Sequence, residues 1–204
     1  MIVASTSLSG NMTSKASNNS IIDFAILKAF NCTLHTPKAL LSKEVIWHPP
    51  QLNWSKCNID EASKGNPDIS ACGDIFRDYN SDVILCFSEP LGICSSYHDE
   101  LCGFMRAIEI IHQNQWNNAW IESDSSLVVL VAKRSKLVPW SLRNRWNNVK
   151  VILNRLNCII FHTYREGNQA ADSLANHGLT LNSINFWTVV PNFISSSFIK
   201  DKAG

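Results

Sequence analysis

The stretch WSKCNID (residues 54–60) alternates polar and apolar side chains, which is typical of a half-buried β-strand. The turn residues GNP (65–67) follow it and end the strand. Two further apolar stretches, ACGDIFRD (71–78) and VILCFSEPLG (83–92), are separated by the polar turn DYNSD. We therefore predict that residues 53–92 form an antiparallel meander of three strands.

The hydrophobic period changes in SSYHDELCGFMRAIEIIHQ (95–113), where apolar residues recur every three or four positions. These positions are Leu101, Phe104, Met105, Ile108 and Ile111. Such a stripe is typical of a helix with one face against a core. We predict a long amphipathic helix directly after the meander.

Strand and helix patterns alternate in the rest of the chain. NNAWIESD (117–124) predicts a short strand and SSLVVLVA (125–132) a helix. WSLRNRWNNVKVILNRL (140–156) predicts a longer helix, CIIFHTY (158–164) a strand, and NQAADSLANHG (168–178) a final helix. The order βββαβααβα predicts an α/β fold with a mixed five-stranded sheet, its first three strands antiparallel and helices packed on it.

The helix predicted over 140–156 carries apolar residues at helical spacing. They are Trp140, Trp146, Val149, Leu153 and Leu156. Two interpretations of the tryptophans stand, a core position or a ligand platform, and helical spacing favours the core.

The ends of the chain differ in composition from its middle. Residues 1–45 are rich in Ser and Asn around one apolar stretch, IIDFAILKAF, which predicts a poorly ordered leader with a helical turn or two. Pro49 and Pro50 then break any helix. We predict a domain over residues 46–180, followed by an extension over 181–204 that packs on the domain or trails from it.

Composition narrows the class of protein. The chain has 204 residues, 45% of them hydrophobic, which is enough for a globular core. It has no apolar run of membrane-spanning length and no secretion signal at its start, so we expect an intracellular protein, nuclear or cytoplasmic, that is neither secreted nor bound to a membrane. The seven cysteines are never spaced Cys-x-x-Cys, which suggests neither disulfides nor a zinc site.

Charge is divided unevenly along the chain, although the net charge is only +1. Among the charged residues of 58–124, twelve are acidic and three are basic. Residues 125–165 contain no acidic residue, and their basic residues are Lys133, Arg134, Lys136, Arg143, Arg145, Lys150, Arg155 and Arg165. Charge alone leaves two interpretations of this basic segment open, the solvated face of a helix or a surface that binds nucleic acid.

Four carboxylates lie at the ends of predicted elements. Asp60 ends the first strand, Glu100 lies in the first turn of the long helix, Asp124 ends the fourth strand and Asp172 lies in the first turns of the last helix. Each alone is most simply a favourable charge at the end of an element. In an α/β domain, however, strand ends and helix starts converge on one edge of the sheet, where four acids would repel unless cations neutralised them. Mg²⁺ prefers such oxygen ligands.

Several short motifs follow one another in a specific order within these elements. They are NID (58–60), SKGNP (63–67), DEL (99–101), ESDS (122–125) and HTYREGNQAADSLANHG (162–178). With the order βββαβααβα, they resemble the type-1 ribonuclease H domain, in the branch abundant in plant genomes and related to non-LTR retroelements. The motif Trp47-x-Pro-Pro, which precedes the first strand, and the tail FWTVVPNFISSSFIKDKAG are also similar to that branch. The resemblance therefore covers about residues 45–204.

The resemblance implies that Asp60, Glu100, Asp124 and Asp172 are catalytic acids that bind two Mg²⁺ ions, with Asp60 bridging both and Mn²⁺ as a substitute metal. It implies a monomer that hydrolyses the RNA strand of RNA–DNA hybrids and leaves a 5′-phosphate and a 3′-hydroxyl. Two metal ions suit that reaction because they stabilise both the attacking and the leaving oxygen.

The resemblance also implies residues that contact the hybrid. Asn66 matches a turn asparagine that contacts 2′-hydroxyls of the RNA strand, with an ordinary turn residue as the alternative. Ser126 is a second candidate. His162 has the spacing of a histidine that helps proton transfer or product release, with a structural role as the alternative. The basic residues Lys133, Arg134 and Lys136 are candidates for phosphate binding, in a segment too short for the extra helix of some members.

Two residues depart from the family pattern beside the predicted site. Asp60 is followed by Glu61 where the family has glycine, and the usual glycine pair of the second strand reads Gly73-Asp74. By strand alternation Glu61 would place a charge on the covered side of the sheet. Two hypotheses follow, an active Mg²⁺-dependent ribonuclease H or a catalytically weak or inactive nucleic-acid-binding domain derived from a retroelement.

Overall fold

The chain divides into two compact units, Met1–Lys43 and Glu44–Gly204. A computed structural model describes residues 21–33, 45, 47–134 and 137–203. In the first unit the described residues are 21–33, and they begin with helix α1 (Ile21–Ala29), which falls in the apolar stretch of the predicted leader. The rest of that leader, residues 1–20 and 34–44, lies outside the described residues.

The second unit begins with the predicted meander. Strands β1 (Ser55–Ser63), β2 (Asp68–Arg77) and β3 (Val83–Cys94) pair in antiparallel fashion. The β1–β2 register is continuous and places Asp60 opposite Gly73. Asn66 and Pro67 lie in the turn between these two strands. The prediction of three antiparallel strands is confirmed.

The alternation of helices and strands that follows is also confirmed. These elements are α2 (Ser96–Gln113), β4 (Asn118–Ser123), α3 (Ser126–Lys133), α4 (Arg143–Leu153), β5 (Asn157–His162) and α5 (Gln169–Gly178). Strand β4 pairs with β1 in parallel, and β5 pairs with β4 in parallel. The sheet is therefore mixed, as expected for an α/β fold.

The sheet has six strands, and the prediction of five was wrong. Strand β6 (Asn185–Trp187) pairs with β3 and gives the order β5-β4-β1-β2-β3-β6. It is only three residues long, too short to show a strand period in the sequence. Helix α6 (Ser195–Ala203) then ends the described chain. Within residues 21–33, 45, 47–134 and 137–203, no helix combines the length and the apolarity needed to cross a membrane.

Two hydrophobic clusters fill the two faces of the sheet. The larger one lies under α2 and includes all five residues of its predicted stripe, Leu101, Phe104, Met105, Ile108 and Ile111. The smaller one joins β2 and β3 to α5 and α6, and includes Ile75, Leu174, Ile194 and Phe198. The segment after residue 180 therefore contributes both a strand and part of a core.

The two tryptophans of the helix predicted over 140–156 have different environments. Trp146 is buried in the larger cluster beside Phe104, as predicted. Trp140 is 87% exposed, so its predicted place in the core was wrong. It lies in a 3₁₀ turn (Trp140–Leu142) that precedes α4, where the helical period used for the prediction does not apply.

Asp74 is a buried acid in the middle of β2. Its side chain is on the face of the larger cluster, opposite Ile59 and Phe87 in the neighbouring strands, and it is 0% exposed. Neither carboxylate oxygen has a hydrogen-bond partner among the described residues. Burial, and then the charge of Glu89, raises the pKa of Asp74 well above its ordinary value. Burial without a hydrogen-bond partner therefore favours the protonated, neutral form of this group in the folded protein.

The raised pKa of Asp74 gives stability a definite dependence on pH. Above pH of about 4 the unfolded chain releases this proton while the folded protein keeps it, so the free energy of unfolding falls by up to about 1.4 kcal/mol per pH unit. Asp74→Asn removes the titration. We expect the variant to gain stability relative to wild type as pH rises above about 4, in urea unfolding at each pH. Parallel curves for the two proteins would contradict this.

Candidate metal centre

The centre lies at the carboxyl ends of two parallel strands. Asp60 is near the end of β1, and Asp124 directly follows β4, whose last residue pairs with Ile59. One carboxylate oxygen from each of Asp60, Glu61 and Asp124 can be chosen so that all three lie within 4.8 Å of one another. The parallel β1–β4 pairing therefore brings together two of the four predicted acids, as the sequence argument required.

The other two predicted acids approach this group from the helices. Glu100, in the first turn of α2, accepts a hydrogen bond from Ser125 Oγ at 2.6 Å. Asp172, in the first turns of α5, accepts one from Arg165 Nη2 at 3.2 Å. Neither belongs to the group within 4.8 Å, but their charges act on it, because Asp172 raises the pKa of Asp60 and Glu100 raises that of Glu61.

The acids are crowded enough to hold protons. Burial, with the charges of Asp124 and Asp172, raises the pKa of Asp60 to about 8. Burial, with the charges of Asp60, Glu100 and Asp124, raises the pKa of Glu61 to about 9. A divalent cation would replace those protons and relieve the repulsion. Because the donors are all carboxylate oxygens, the residues fit a hard cation such as Mg²⁺.

Glu61 is the unexpected member of the group. The continuous β1–β2 register has no bulge here, so Glu61 shares a face with Ile59, as strand alternation predicted. Sequence reasoning treated it only as a departure from the family pattern. The structure adds that its carboxylate reaches Asp60 and Asp124 at the end of the strand, where it provides a further oxygen for a cation.

Glu61→Gln should change the response of the protein to Mg²⁺. We expect the variant to have a higher Tm than wild type at pH 8 without metal, because one of the mutually repelling acids is gone. Mg²⁺ should then raise the Tm of wild type more than that of the variant, since it relieves more repulsion there. Thermal unfolding with Mg²⁺ and with EDTA measures both effects. An equal Mg²⁺ response would show that Glu61 lies outside the site.

Three neighbours of the acids were missed by sequence reasoning. Asn168, which is 0% exposed, donates from Nδ2 to Asp60 Oδ2 at 3.2 Å. Arg165 and Ser125 bind Asp172 and Glu100, as described above. A signal existed for Asn168, because it lies four residues before Asp172 and so shares its helix face.

The residues predicted to contact nucleic acid are spread around the centre. Asn66 is exposed, and its Oδ1 accepts a hydrogen bond from the backbone N–H of Ser96 at 3.2 Å, at the start of α2. Ser126 begins α3, two residues after Asp124. Lys133 and Arg134 are exposed at the other end of α3, about 10 Å along its axis. Lys136 lies outside the described residues.

His162 ends β5 and pairs with Ser123 of β4, which precedes Asp124. Its imidazole is exposed and contacts the ring of Tyr164, with 5.8 Å between centroids. Burial raises the pKa of Asp124 overall, while the charge of Arg165 and, to a smaller extent, that of His162 act to lower it. The histidine therefore lies on the Asp124 side of the centre, in contact with solvent.

Comparison with known proteins gives concordant results. A family profile described as reverse transcriptase-like matches residues 58–178. A protein of Arabidopsis thaliana, whose name assigns it to ribonuclease H, is 32% identical over 162 residues, which are 78% of this chain. The matched part is 26% of that protein, so the chain spans about a quarter of its relative's length.

Solved structures share the fold at lower identity. Ribonuclease H1 from the halophilic archaeon Halobacterium salinarum superposes with a TM-score of 0.56 at 22% identity, covering 62% of this chain and 98% of that one. The LC11 ribonuclease H1, solved in complex with an RNA/DNA hybrid, has a TM-score of 0.56 at 21% identity, covering 62% and 96%. At 22% and 21% identity, these two similarities show that the fold is shared.

Proposed function

Because the chain belongs to the reverse transcriptase-like family and folds as a type-1 ribonuclease H domain, we propose that it hydrolyses the RNA strand of RNA–DNA hybrids at the acidic centre. The observation that carries the proposal is the convergence of carboxylate oxygens from Asp60, Glu61 and Asp124 within 4.8 Å. The name of the Arabidopsis relative and the hybrid bound to a ribonuclease H of the same fold support the substrate class.

In this proposal Asp60, Glu100, Asp124 and Asp172 hold two Mg²⁺ ions, with Glu61 as an additional oxygen donor. Mg²⁺ held there would activate a water and would stabilise the charge of the phosphodiester and the leaving oxygen. The water oxygen would bond to phosphorus as the bond from phosphorus to the 3′-oxygen breaks, and the 3′-oxygen would take up a proton, so the products would be a 5′-phosphate and a 3′-hydroxyl. Asp60 would hold the metal together with Asp124 and Asp172, whose charges both act on it.

The surrounding residues would orient the substrate. Asn66, exposed in the β1–β2 turn, and Ser126, at the start of α3, would contact the RNA strand. Lys133 and Arg134, exposed at the other end of α3, would bind phosphates farther along the hybrid. His162, exposed beside Asp124, would move a proton to or from solvent.

A second candidate function has an observation of its own. Asp172 is held by Arg165 at 3.2 Å, and a glutamate stands in the acidic group where the family pattern has glycine. Both features would alter the metal ligands while leaving the nucleic-acid surface in place. The alternative is therefore a domain that binds hybrids and cleaves them weakly or not at all.

The decisive experiment uses the purified chain with end-labelled RNA in three forms: paired with DNA, single-stranded and paired with RNA. We expect cleavage of the RNA–DNA hybrid alone, dependent on Mg²⁺ and abolished by EDTA, with 5′-phosphate ends on the products. An intact hybrid would eliminate the nuclease proposal. Hybrid binding in a gel-shift assay under those conditions would then favour the second candidate.

A further inference from the structure

A buried polar network lies beneath Asp60, on the face of the sheet covered by α5. Trp47 Nε1 donates to Asn58 Oδ1 at 2.9 Å. Asn58 Nδ2 donates to Glu122 Oε2 and to Asn168 Oδ1, both at 3.2 Å. Asn168 Nδ2 donates to the carbonyl oxygen of Ile59 at 2.9 Å and to Asp60 Oδ2 at 3.2 Å.

These contacts determine how the two amides are oriented. In Asn168 both hydrogens of Nδ2 are used, by the Ile59 carbonyl and by Asp60, while Oδ1 accepts from Asn58. In Asn58 both hydrogens of Nδ2 are also used, and Oδ1 accepts from Trp47. Rotating either amide by 180° would place oxygen against oxygen. The network therefore has a single favourable arrangement.

The Asp60 carboxylate is held on both of its oxygens. Oδ1 accepts from the backbone N–H of Glu61 at 2.9 Å, and Oδ2 accepts from Asn168 Nδ2 at 3.2 Å. A carboxylate with two fixed donors has little freedom to rotate, so its remaining lone pairs would be presented to a cation in one orientation.

The network extends to the C-terminal helix. Arg77 Nη2 and Asp201 Oδ2 form an ion pair at 2.7 Å in which both side chains are 0% exposed. The same Asp201 oxygen accepts from the backbone N–H of Ala170, in the first turn of α5, at 3.4 Å. The Arg77 guanidinium lies 4.6 Å from the centroid of the Trp47 ring. Asp201 thus reaches Asn168 by two routes, through α5 and through Trp47.

Lys56 is a second buried cation beside the Trp47 ring. Its Nζ lies 4.5 Å from the ring centroid, forms an ion pair with Glu122 at 2.9 Å and donates to the His48 carbonyl at 2.9 Å. The buried cations Lys56 and Arg77 are therefore paired with the carboxylates of Glu122 and Asp201. Their contacts with the Trp47 ring restrict the positions that the tryptophan can take.

We propose that Asp201 on α6 is a positioning residue for the metal centre. It acts through Arg77, Trp47, Asn58 and Asn168 to hold the Asp60 carboxylate in place. The inference rests on the proposed function in one respect, that Asp60 binds the cation. It makes the segment after residue 180, with its terminal helix, part of the functional unit.

The test separates positioning from mere stability. Replacing a buried ion pair by apolar residues of similar size often leaves stability unchanged or raises it, so the double variant Arg77→Met with Asp201→Leu should fold. Glu109→Gln is the matched control, since it disrupts an ion pair with Arg145, at 2.7 Å, that is outside the network. The primary readout is the Glu61 amide signal in a ¹H–¹⁵N spectrum, because that N–H donates to Asp60.

In the double variant we expect the Glu61 amide to shift and the dissociation constant for Mg²⁺, measured by calorimetry, to rise about tenfold. The control should change neither. An unmoved Glu61 amide in the folded double variant would overturn the proposal. If the double variant does not fold, Asp201→Asn gives the same comparison, because it removes the charge of Asp201 and keeps the size of its side chain. An unmoved Glu61 amide in folded Asp201→Asn would equally overturn the proposal.

The two proposals can fail separately. A wild-type protein that binds no Mg²⁺ and cleaves no hybrid would refute the proposed function. The Glu61 amide would still report, without metal, whether α6 controls the Asp60 carboxylate. A shift of the Glu61 amide in the double variant, with no shift in the Glu109→Gln control, would support the positioning role even without metal binding.

Discussion

Asp124→Asn is expected to lower the rate of hybrid cleavage by more than about 100-fold, because loss of residues that merely support metal ligands already costs 10–100-fold. Asparagine keeps the shape of the side chain but removes the charge that a cation needs. Its removal should also lower the pKa of Asp60, which the Asp124 charge helps to raise. Single-turnover cleavage at saturating protein measures the rate without interference from product release.

The matched control for this variant is Asp82→Asn, which makes the same chemical change. The side chain of Asp82 is 74% exposed. Within the described residues, its one ion pair is with Lys202 of α6, at 3.6 Å. We expect it to cleave at the wild-type rate. Asp82→Asn should melt close to wild type, and Asp124→Asn should melt no lower than wild type without metal, because one of the mutually repelling acids is gone. Cleavage by Asp124→Asn within a few fold of wild type would exclude this residue as a metal ligand.

Gly73→Ala is expected to reduce the free energy of unfolding by about 3 kcal/mol, at the upper end of the range for overpacked cores. A Cβ at Gly73 would lie 2.2 Å from the backbone nitrogen of Ala175 and 2.4 Å from the carbonyl carbon of Leu174. Helix α5 therefore packs with its backbone directly on β2. An added methyl group would push away the helix that carries Asn168 and Asp172.

Two measurements follow for Gly73→Ala, urea unfolding for stability and calorimetry for Mg²⁺ binding. The free energy of unfolding and the affinity for Mg²⁺ should both decrease. The affinity decreases because displacement of α5 separates Asp172 from Asp60. Gly65→Ala is the control, since its Cβ would meet only the side chain of Asp68, in an exposed turn. A wild-type Mg²⁺ affinity in Gly73→Ala would mean that the position of α5 does not control the centre.

Local patterns in the sequence were sufficient for most of the architecture. The alternation in β1 to β3 and the apolar stripe of α2 each depend on which side chains face a core, and that period is present in a short stretch of chain. The same reasoning brought Asp60 and Asp124 together, because two parallel strands end on the same edge. Glu61 was also assigned to the correct face of β1 from alternation alone.

Contacts between distant parts of the chain decided the rest. No local period predicts that β6 pairs with β3, that Glu61 joins Asp60 and Asp124, or that Trp140 is left in solvent. The partners in the network beneath Asp60 are separated by 110 positions for Asn58 and Asn168 and by 124 for Arg77 and Asp201. The sequence by itself determined the elements and the edge where the acids meet, since both follow from short-range periodicity. The tertiary structure decided which side chains hold those acids in place, because hydrogen bonds between buried groups depend on distances that only the folded chain defines.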